Sequence, residues 1–186
     1  MTEKEKCAEG LMYNANYDEE LIRERIACKD LCQEYNLLKS SDLEGRSQKI
    51  REIVGVTKEH FLIEQPFLCD YGYNIEIGEN FYSNHNMIIL DAAKVTFGDH
   101  VFIAPNCGFY TAGHPVNVTE RNEGLEYAYP ITVGNNVWIG GNVIVLPGVS
   151  IGDNSIIGAG SVVNKSIPEN VIAVGNPCKV IKKIDE

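Results

Sequence analysis

The chain has no apolar stretch long enough to cross a bilayer, and its first residues, Met1-Thr-Glu-Lys-Glu-Lys, lack the apolar core of a signal peptide. Basic residues are also scarce: 16 Lys and Arg stand against 26 Asp and Glu, which gives a formal net charge of −10. An acidic chain is a poor partner for nucleic acid or an anionic membrane. We therefore expect a cytoplasmic protein that binds neither.

Cysteine and histidine are too few and too scattered to indicate a metal centre. The six cysteines show neither the paired spacing of zinc sites nor a secreted disulfide framework, so reduced thiols are expected. Cys28 and Cys32 lie four residues apart on a predicted helix, with no histidine or second cysteine pair near them in sequence. We interpret them as packing residues rather than ligands.

What the chain does have is a strict six-residue period over residues 131–166. The third residue of each six is a β-branched aliphatic, and the fourth is usually glycine. The third positions are Val133, Ile139, Val145, Ile151, Ile157 and Val163. The first and third residues share one face of a strand, and Gly or Asn at the corner is expected to supply positive φ. This period predicts a solenoid of short strands, with about eighteen residues to each triangular coil.

The period extends over most of the chain and has one long interruption. It begins imperfectly near Phe61 and Phe67, and it shifts by two residues before Val95. It then stops over residues 113–130 and returns at Ile131. We predict that this interruption is a loop extruded from the solenoid, and long loops on rigid scaffolds usually carry function.

Residues 1–57 have a helical pattern instead. The amphipathic spacing predicts a helix over about 18–36, a second over about 45–54 and a weaker short one over 3–9. We expect this segment to cover the open end of a solenoid formed by residues 58–186, because an exposed strand edge needs a cover. The chain is then one functional unit: an all-β solenoid with a helical cap.

Several short motifs are more specific than the period. They are Cys69-Asp-Tyr-Gly, Asn80-Phe-Tyr-Ser-Asn-His-Asn, Ile103-Ala-Pro-Asn, Gly113-His-Pro, Pro130-Ile-Thr-Val-Gly-Asn-Asn-Val-Trp-Ile-Gly-Gly, Gly158-Ala-Gly-Ser and Gly175-Asn-Pro-Cys-Lys-Val. Over nearly its whole length the chain resembles the maltose, galactoside and nodulation-factor O-acetyltransferases of the hexapeptide-repeat family. The resemblance implies a left-handed parallel β-helix and direct acetyl transfer from acetyl-CoA, the co-substrate, to a sugar hydroxyl. It also implies that no metal is required, and that the protein is a homotrimer with active sites at the subunit interfaces.

His114 is the candidate base. It stands where the repeat becomes the loop, and Pro115 restricts its backbone to extended conformations. The resemblance makes it the general base, a task that suits imidazole near neutrality, and places Asn84 beside it in the catalytic group. Asn84 also has a simpler interpretation as a corner residue. Cys107 occupies an inward first position, so no acyl-enzyme is expected, and a backbone N–H of the wall would stabilise the oxyanion.

The resemblance also assigns residues to each substrate. The acceptor residues are Arg25, Asp70, Tyr82, Asp91 and Glu126. The galactoside enzymes carry an acid one place after Asp91, where this chain has Ala92, so the identity of the acceptor stays open. The residues for the donor CoA are Ala104, Trp138, Gly141, Ala159, Asn164, Lys165, Lys179 and Lys182.

The donor assignment has support from the residue types themselves. The lysines are concentrated near the end of an otherwise acidic chain, where they suit the phosphates of CoA, although a solvated charged tail is the alternative. The small residues leave room for a pantetheine arm. Trp138, the second residue of its six, should face outward onto a ligand or a subunit interface.

Three other functions remain open. Acetylation of xenobiotic hydroxyls such as those of antibiotics uses the same histidine chemistry with a different loop. A metal hydratase of the γ-carbonic anhydrase type needs three histidines converging on zinc, and this chain has four histidines with a single one in the loop. A non-catalytic hexapeptide scaffold is disfavoured by the His-Pro loop.

Overall fold

Three helices precede the solenoid in the computed structural model of the chain. The helices of the protein are α1 (Glu3–Ala8), α2 (Glu19–Leu37), α3 (Leu43–Ile53) and α4 (Val118–Asn122). The side chains of Thr2, Asp18 and Asp42 each accept a hydrogen bond from a backbone N–H in the first turn of the helix that follows. These caps satisfy donors that would otherwise lack a partner, so the predicted helices begin close to the expected positions. Within the described part of the chain, no helix is both long and apolar enough to span a membrane.

The structure describes residues 1–184, and Asp185 and Glu186, which end the predicted solenoid unit, lie outside the described residues. Nearly all the strands are very short. In chain order they are β1 (Tyr13–Asn14), β2 (Phe61–Ile63), β3 (Phe67–Cys69), β4 (Ile75–Ile77), β5 (Phe81–Ser83), β6 (Met87–Leu90), β7 (Val95–Phe97), β8 (Phe102–Ile103), β9 (Gly108–Tyr110), β10 (Ala112–Gly113), β11 (Leu125–Ala128), β12 (Ile131–Val133), β13 (Trp138–Ile139), β14 (Ile144–Val145), β15 (Ser150–Ile151), β16 (Ile156–Ile157), β17 (Val162–Val163), β18 (Val171–Val174) and β19 (Lys179–Lys183).

Three parallel sheets form the faces of the solenoid. The first face has the order β4-β7-β12-β15, the second β2-β5-β8-β13-β16-β18 and the third β3-β6-β9-β14-β17. Strand β19 adds to the second face, antiparallel to β18. The chain visits the second, third and first faces in turn, so equivalent positions stack from coil to coil, as when Trp138 pairs with Ile156. The predicted parallel β-solenoid is confirmed.

The third residue of each six is buried, as the period predicts. Val133, Ile139 and Val145 are each at most 1% exposed. In the earlier coils, larger rings fill the same axis: Phe97 lies 5.1 Å from Phe81 and 4.9 Å from Phe109, measured between ring centroids. The core is therefore one continuous apolar column along the solenoid.

The corners use asparagine and glycine for different reasons, and the expectation that both supply positive φ is wrong for the fourth-position glycines. Positive φ occurs instead at sixth residues of the repeat, as at Asn136 and Asn154. The side-chain amide of Asn136 donates a hydrogen bond over 3.0 Å to that of Asn154 in the next coil. The glycines are required by close approach. A Cβ on Gly78 would lie 2.3 Å from the carbonyl oxygen of Gly98 in the next coil.

The interruption at residues 113–130 is a folded element outside the solenoid. Strands β10 and β11 pair antiparallel, and α4 lies between them. Strand β11 also pairs with β1 from the N-terminal segment, with Tyr13 opposite Glu126. The predicted extrusion is confirmed, and the pairing with β1 ties the loop to the N-terminal segment.

Candidate active site

His114 lies directly after β10, at the root of the extruded loop. Its Nδ1 lies 3.2 Å from the carbonyl oxygen of Leu125, and its Nε2 lies 3.8 Å from Oε1 of Glu126. The side chain is 49% exposed. When Nδ1–H donates to this carbonyl, Nε2 keeps its lone pair, which is the tautomer that a general base needs.

Glu126 is held in place beside this imidazole. The hydroxyl of Tyr13 donates to its Oε2 over 3.1 Å, and Nδ2 of Asn16 donates to its Oε1 over 3.3 Å. The side chain of Glu126 is only 16% exposed, so its carboxylate is largely shielded from water. No local sequence pattern marks Tyr13 and Asn16 as site residues, because they reach Glu126 through the pairing of β1 with β11.

A second group of polar residues lies on the same side of the molecule. Arg25 donates from one nitrogen to the hydroxyl of Tyr71 over 2.8 Å and from the other to the carbonyl oxygen of Ala15 over 2.6 Å. Burial raises the pKa of Asp70, and the positive charges of Arg25 and Lys29 oppose that rise. The positive charge of Arg25 thus acts on the carboxyl group of Asp70.

Asp91 is fully buried, and this corrects its predicted contact with the acceptor. Its Oδ1 accepts the backbone N–H groups of Asp70 and Tyr71 over 3.0 and 2.9 Å. Within residues 1–184 nothing hydrogen-bonds to its Oδ2. Burial raises the pKa of Asp91 to about 6. We reassign Asp91 as a positioning residue that fixes the backbone beneath Asp70.

Asn84, Tyr82, Ala104 and Trp138 lie together, away from His114. They line an open cavity of about 420 Å³ with Phe102 and Ile103. Trp138 is 56% exposed, which confirms its predicted outward orientation. The Oδ1 of Asn84 accepts the N–H of His85 over 2.8 Å, which leaves the amide Nδ2 available as a donor.

The predicted residues therefore occupy two different edges of one solenoid. Asn84, Ala104, Gly141 and Ala159 each follow a strand of the second face and precede one of the third, and we name this line the Asn84 edge. The edge between the third and first faces carries Asp70, Asp91, the extruded loop with His114, and the exposed Asn164 and Lys165, and we name it the loop edge. The third face separates the two.

The Asn84 edge is close-packed and smooth. The N–H of Gly160 donates to the carbonyl oxygen of Gly141 over 2.8 Å, and a Cβ on Gly141 would lie 3.3 Å from the carbonyl oxygen of Pro105. Lys179 and Lys182 are exposed on β19, at the last coil of the second face. The small residues predicted to bind CoA therefore lie along the Asn84 edge, whereas Lys179 and Lys182, predicted to bind the same CoA, lie on β19.

Comparison with known proteins gives matches over the whole chain. Residues 6–58 match the maltose acetyltransferase hexapeptide capping motif, and residues 130–165 match the bacterial transferase hexapeptide family of six repeats. A putative acetyltransferase of Saccharomyces cerevisiae is 59% identical, over 98% of this chain and 93% of that relative.

Two solved structures superpose closely on the fold. A maltose O-acetyltransferase from Clostridium difficile 630 has a TM-score of 0.97 and 52% identity, covering 100% of this chain and 99% of its own. A galactoside acetyltransferase in complex with coenzyme A has a TM-score of 0.96 and 45% identity, covering 100% of this chain and 92% of its own.

Proposed function

The chain belongs to the maltose and galactoside O-acetyltransferase family of hexapeptide-repeat acyltransferases, and from that premise we propose that it acetylates a sugar hydroxyl with His114 as general base. It is an acetyl-CoA-dependent acetyltransferase. One observation carries the finer proposal: the side chain of His114 is half-exposed, its Nδ1 lies at the carbonyl oxygen of Leu125, and its Nε2 lies 3.8 Å from the carboxylate of Glu126.

The proposed reaction is one direct displacement. The Nε2 of His114 takes the proton of the acceptor hydroxyl as that oxygen attacks the thioester carbonyl. Glu126, 3.8 Å away, stabilises the imidazolium that forms. When the carbon–sulfur bond breaks, the proton passes from Nε2 to the sulfur of CoA. The tetrahedral oxyanion needs a donor, and a wall N–H or the free Nδ2 of Asn84 suits this role.

The acceptor would bind among polar groups next to His114. Arg25 and Asp70 offer a donor and an acceptor for neighbouring hydroxyls, and Glu126 offers a further carboxylate. An array of paired charges and hydroxyls suits a polyol better than an apolar drug. This is why we favour a sugar over a xenobiotic as the acceptor.

The donor would lie along a solenoid wall. Ala104, Gly141 and Ala159 stack at the Asn84 edge and leave it smooth enough for a pantetheine arm. Lys165, Lys179 and Lys182 are exposed at the last coils, where they would meet the phosphates. Asn164 lies next to Lys165 on the same turn.

We propose a homotrimer because the separation of the two edges leaves the site incomplete in one chain. A second copy placed with its Asn84 edge against the loop edge would bring Asn84 and the smooth wall to His114. The outer side of the second face supports such packing. Trp138 and Phe102 are exposed there on paired strands, and Tyr82 pairs with Phe102 on the next strand, so the three aromatic side chains form one row.

The expected mass by light scattering at micromolar concentration is three times the 20.6 kDa of the chain. A monomer at that concentration would contradict the trimer and, with it, a site shared between subunits.

The acceptor can be tested with a panel. Free thiol release from acetyl-CoA would be measured with glucose, maltose, a galactoside, a chitooligosaccharide and chloramphenicol, against a control without acceptor. We expect at least one sugar to give the highest kcat/KM. Release with chloramphenicol alone would favour the xenobiotic enzyme, and release no faster than the control would contradict both.

A further inference from the structure

Three buried cysteines meet where α2 packs on the third face. Cys28 and Cys32 share one side of α2, and Cys69 ends β3. The Sγ of Cys69 lies 3.5 Å from the Sγ of Cys28 and 3.7 Å from that of Cys32. All three side chains are at most 4% exposed. The interpretation of Cys28 and Cys32 as simple packing residues missed Cys69, because the contact bridges distant parts of the sequence.

The spacing of the three sulfurs suits a single central atom. Sulfurs bonded to one centre at about 2.3 Å lie roughly 3.4 to 4.0 Å apart, depending on whether the centre is pyramidal or planar. Two of the sulfur pairs already lie in this range, and all three sulfur atoms lie within 4.8 Å of one another. Among residues 1–184 the group holds no fourth His, Cys, Asp or Glu ligand, whereas structural zinc takes four.

Charge decides which kind of centre fits. Three thiolates around a monovalent or divalent cation leave a net negative complex, which is costly in a buried site. All three cysteines belong to the buried apolar core and are at most 4% exposed, so a net charge there would have no water around it. The pocket therefore favours a product without net charge, and three thiolates on a trivalent centre are neutral.

We propose that Cys28, Cys32 and Cys69 form a binding site for a trivalent thiophilic metalloid of the arsenite class. Arsenous acid, As(OH)₃, reacts with three thiols to give As(SR)₃ and three waters. Three As–S bonds form and three As–O bonds break, each thiol proton leaves with one hydroxide, and no electrons are exchanged. As(OH)₃ is small and uncharged at neutral pH, so local opening of α2 is enough to admit it.

Binding would tie α2 covalently to β3 beside two residues of the proposed acceptor site. Arg25 lies one helical turn before Cys28, and Asp70 directly follows Cys69. The bound centre would thus rigidify the support of that site.

The test uses the full-length protein, reduced with a phosphine because dithiols capture arsenite. After incubation with arsenite and desalting, we expect one arsenic per chain by mass spectrometry and three sulfur neighbours at about 2.3 Å by X-ray absorption. The melting temperature should rise, since the ligand binds the folded state. Cys28→Ala, Cys32→Ala and Cys69→Ala should each weaken retention at least about tenfold.

Cys107→Ala is the matched control, because Cys107 is an equally buried thiol outside the cluster, and it should retain arsenic as the parent does. Absence of retained arsenic, a centre with two sulfur neighbours, or equal loss in the control would overturn the proposal. If a cluster variant fails to fold, the sulfur count in the parent protein still decides.

Discussion

His114→Ala is expected to lower kcat for acetyl transfer by about 10²–10⁴, the usual contribution of a general base. The Nε2 that accepts the hydroxyl proton is removed, and the carboxylate of Glu126, 3.8 Å from it, already accepts hydrogen bonds from Tyr13 and Asn16. The affinity for CoA should not change, because the proposed donor contacts lie on the solenoid wall. Thiol release measures kcat, and calorimetric titration with CoA measures the affinity for CoA.

The matched control for this variant is His60→Ala. His60 is an exposed histidine that pairs with Glu79, away from the loop edge, so kcat should stay at the parent value. A loss below about tenfold in His114→Ala would show that another group is the base. A large fall in CoA affinity would instead place His114 in the donor site.

The solenoid could be predicted from the sequence because its rule is local and repeated. Val137 and Ile139 are two residues apart, so their side chains point to the same, buried side of the chain, and a pattern of two residues is enough to predict this. The role of Gly78 could not be predicted in the same way. Gly78 must lack a side chain because the backbone of Gly98 in the next coil lies against it, and that contact is visible only in the folded structure.

The candidate site could also be predicted only in part. His114 is conspicuous because the period stops beside it. The hydrogen bond that holds Glu126 is not visible in the sequence, because its donor, Tyr13, lies 113 residues away in the chain and reaches Glu126 through β1. Motif matching placed Asp91 with the acceptor residues, but the backbone of Asp70 and Tyr71 covers its carboxylate, and a motif carries no information on burial.

Randomly mixed oligomers of His114→Ala and Asn84→Ala are expected to recover about a quarter of the parent activity, although each variant alone keeps only a small residual activity. If His114 of one chain works with Asn84 of its neighbour, neither parent oligomer contains a complete site. In random 1:1 assemblies, half of the loop edges keep His114 and half of the facing Asn84 edges keep Asn84, so about one site in four has both.

The measurement is thiol release by complexes that carry two different tags and are purified on both in turn. Purification on both tags leaves only mixed rings, in which one of the three sites is complete, so the recovery expected in the purified complexes is about a third. The control mixes His114→Ala with a chain that carries both substitutions, and it should stay inactive because no chain supplies the imidazole. Verified mixed complexes without recovery would mean that His114 and Asn84 serve the same chain. The third face would then have to be crossed by the substrates, which the separation of the two edges opposes.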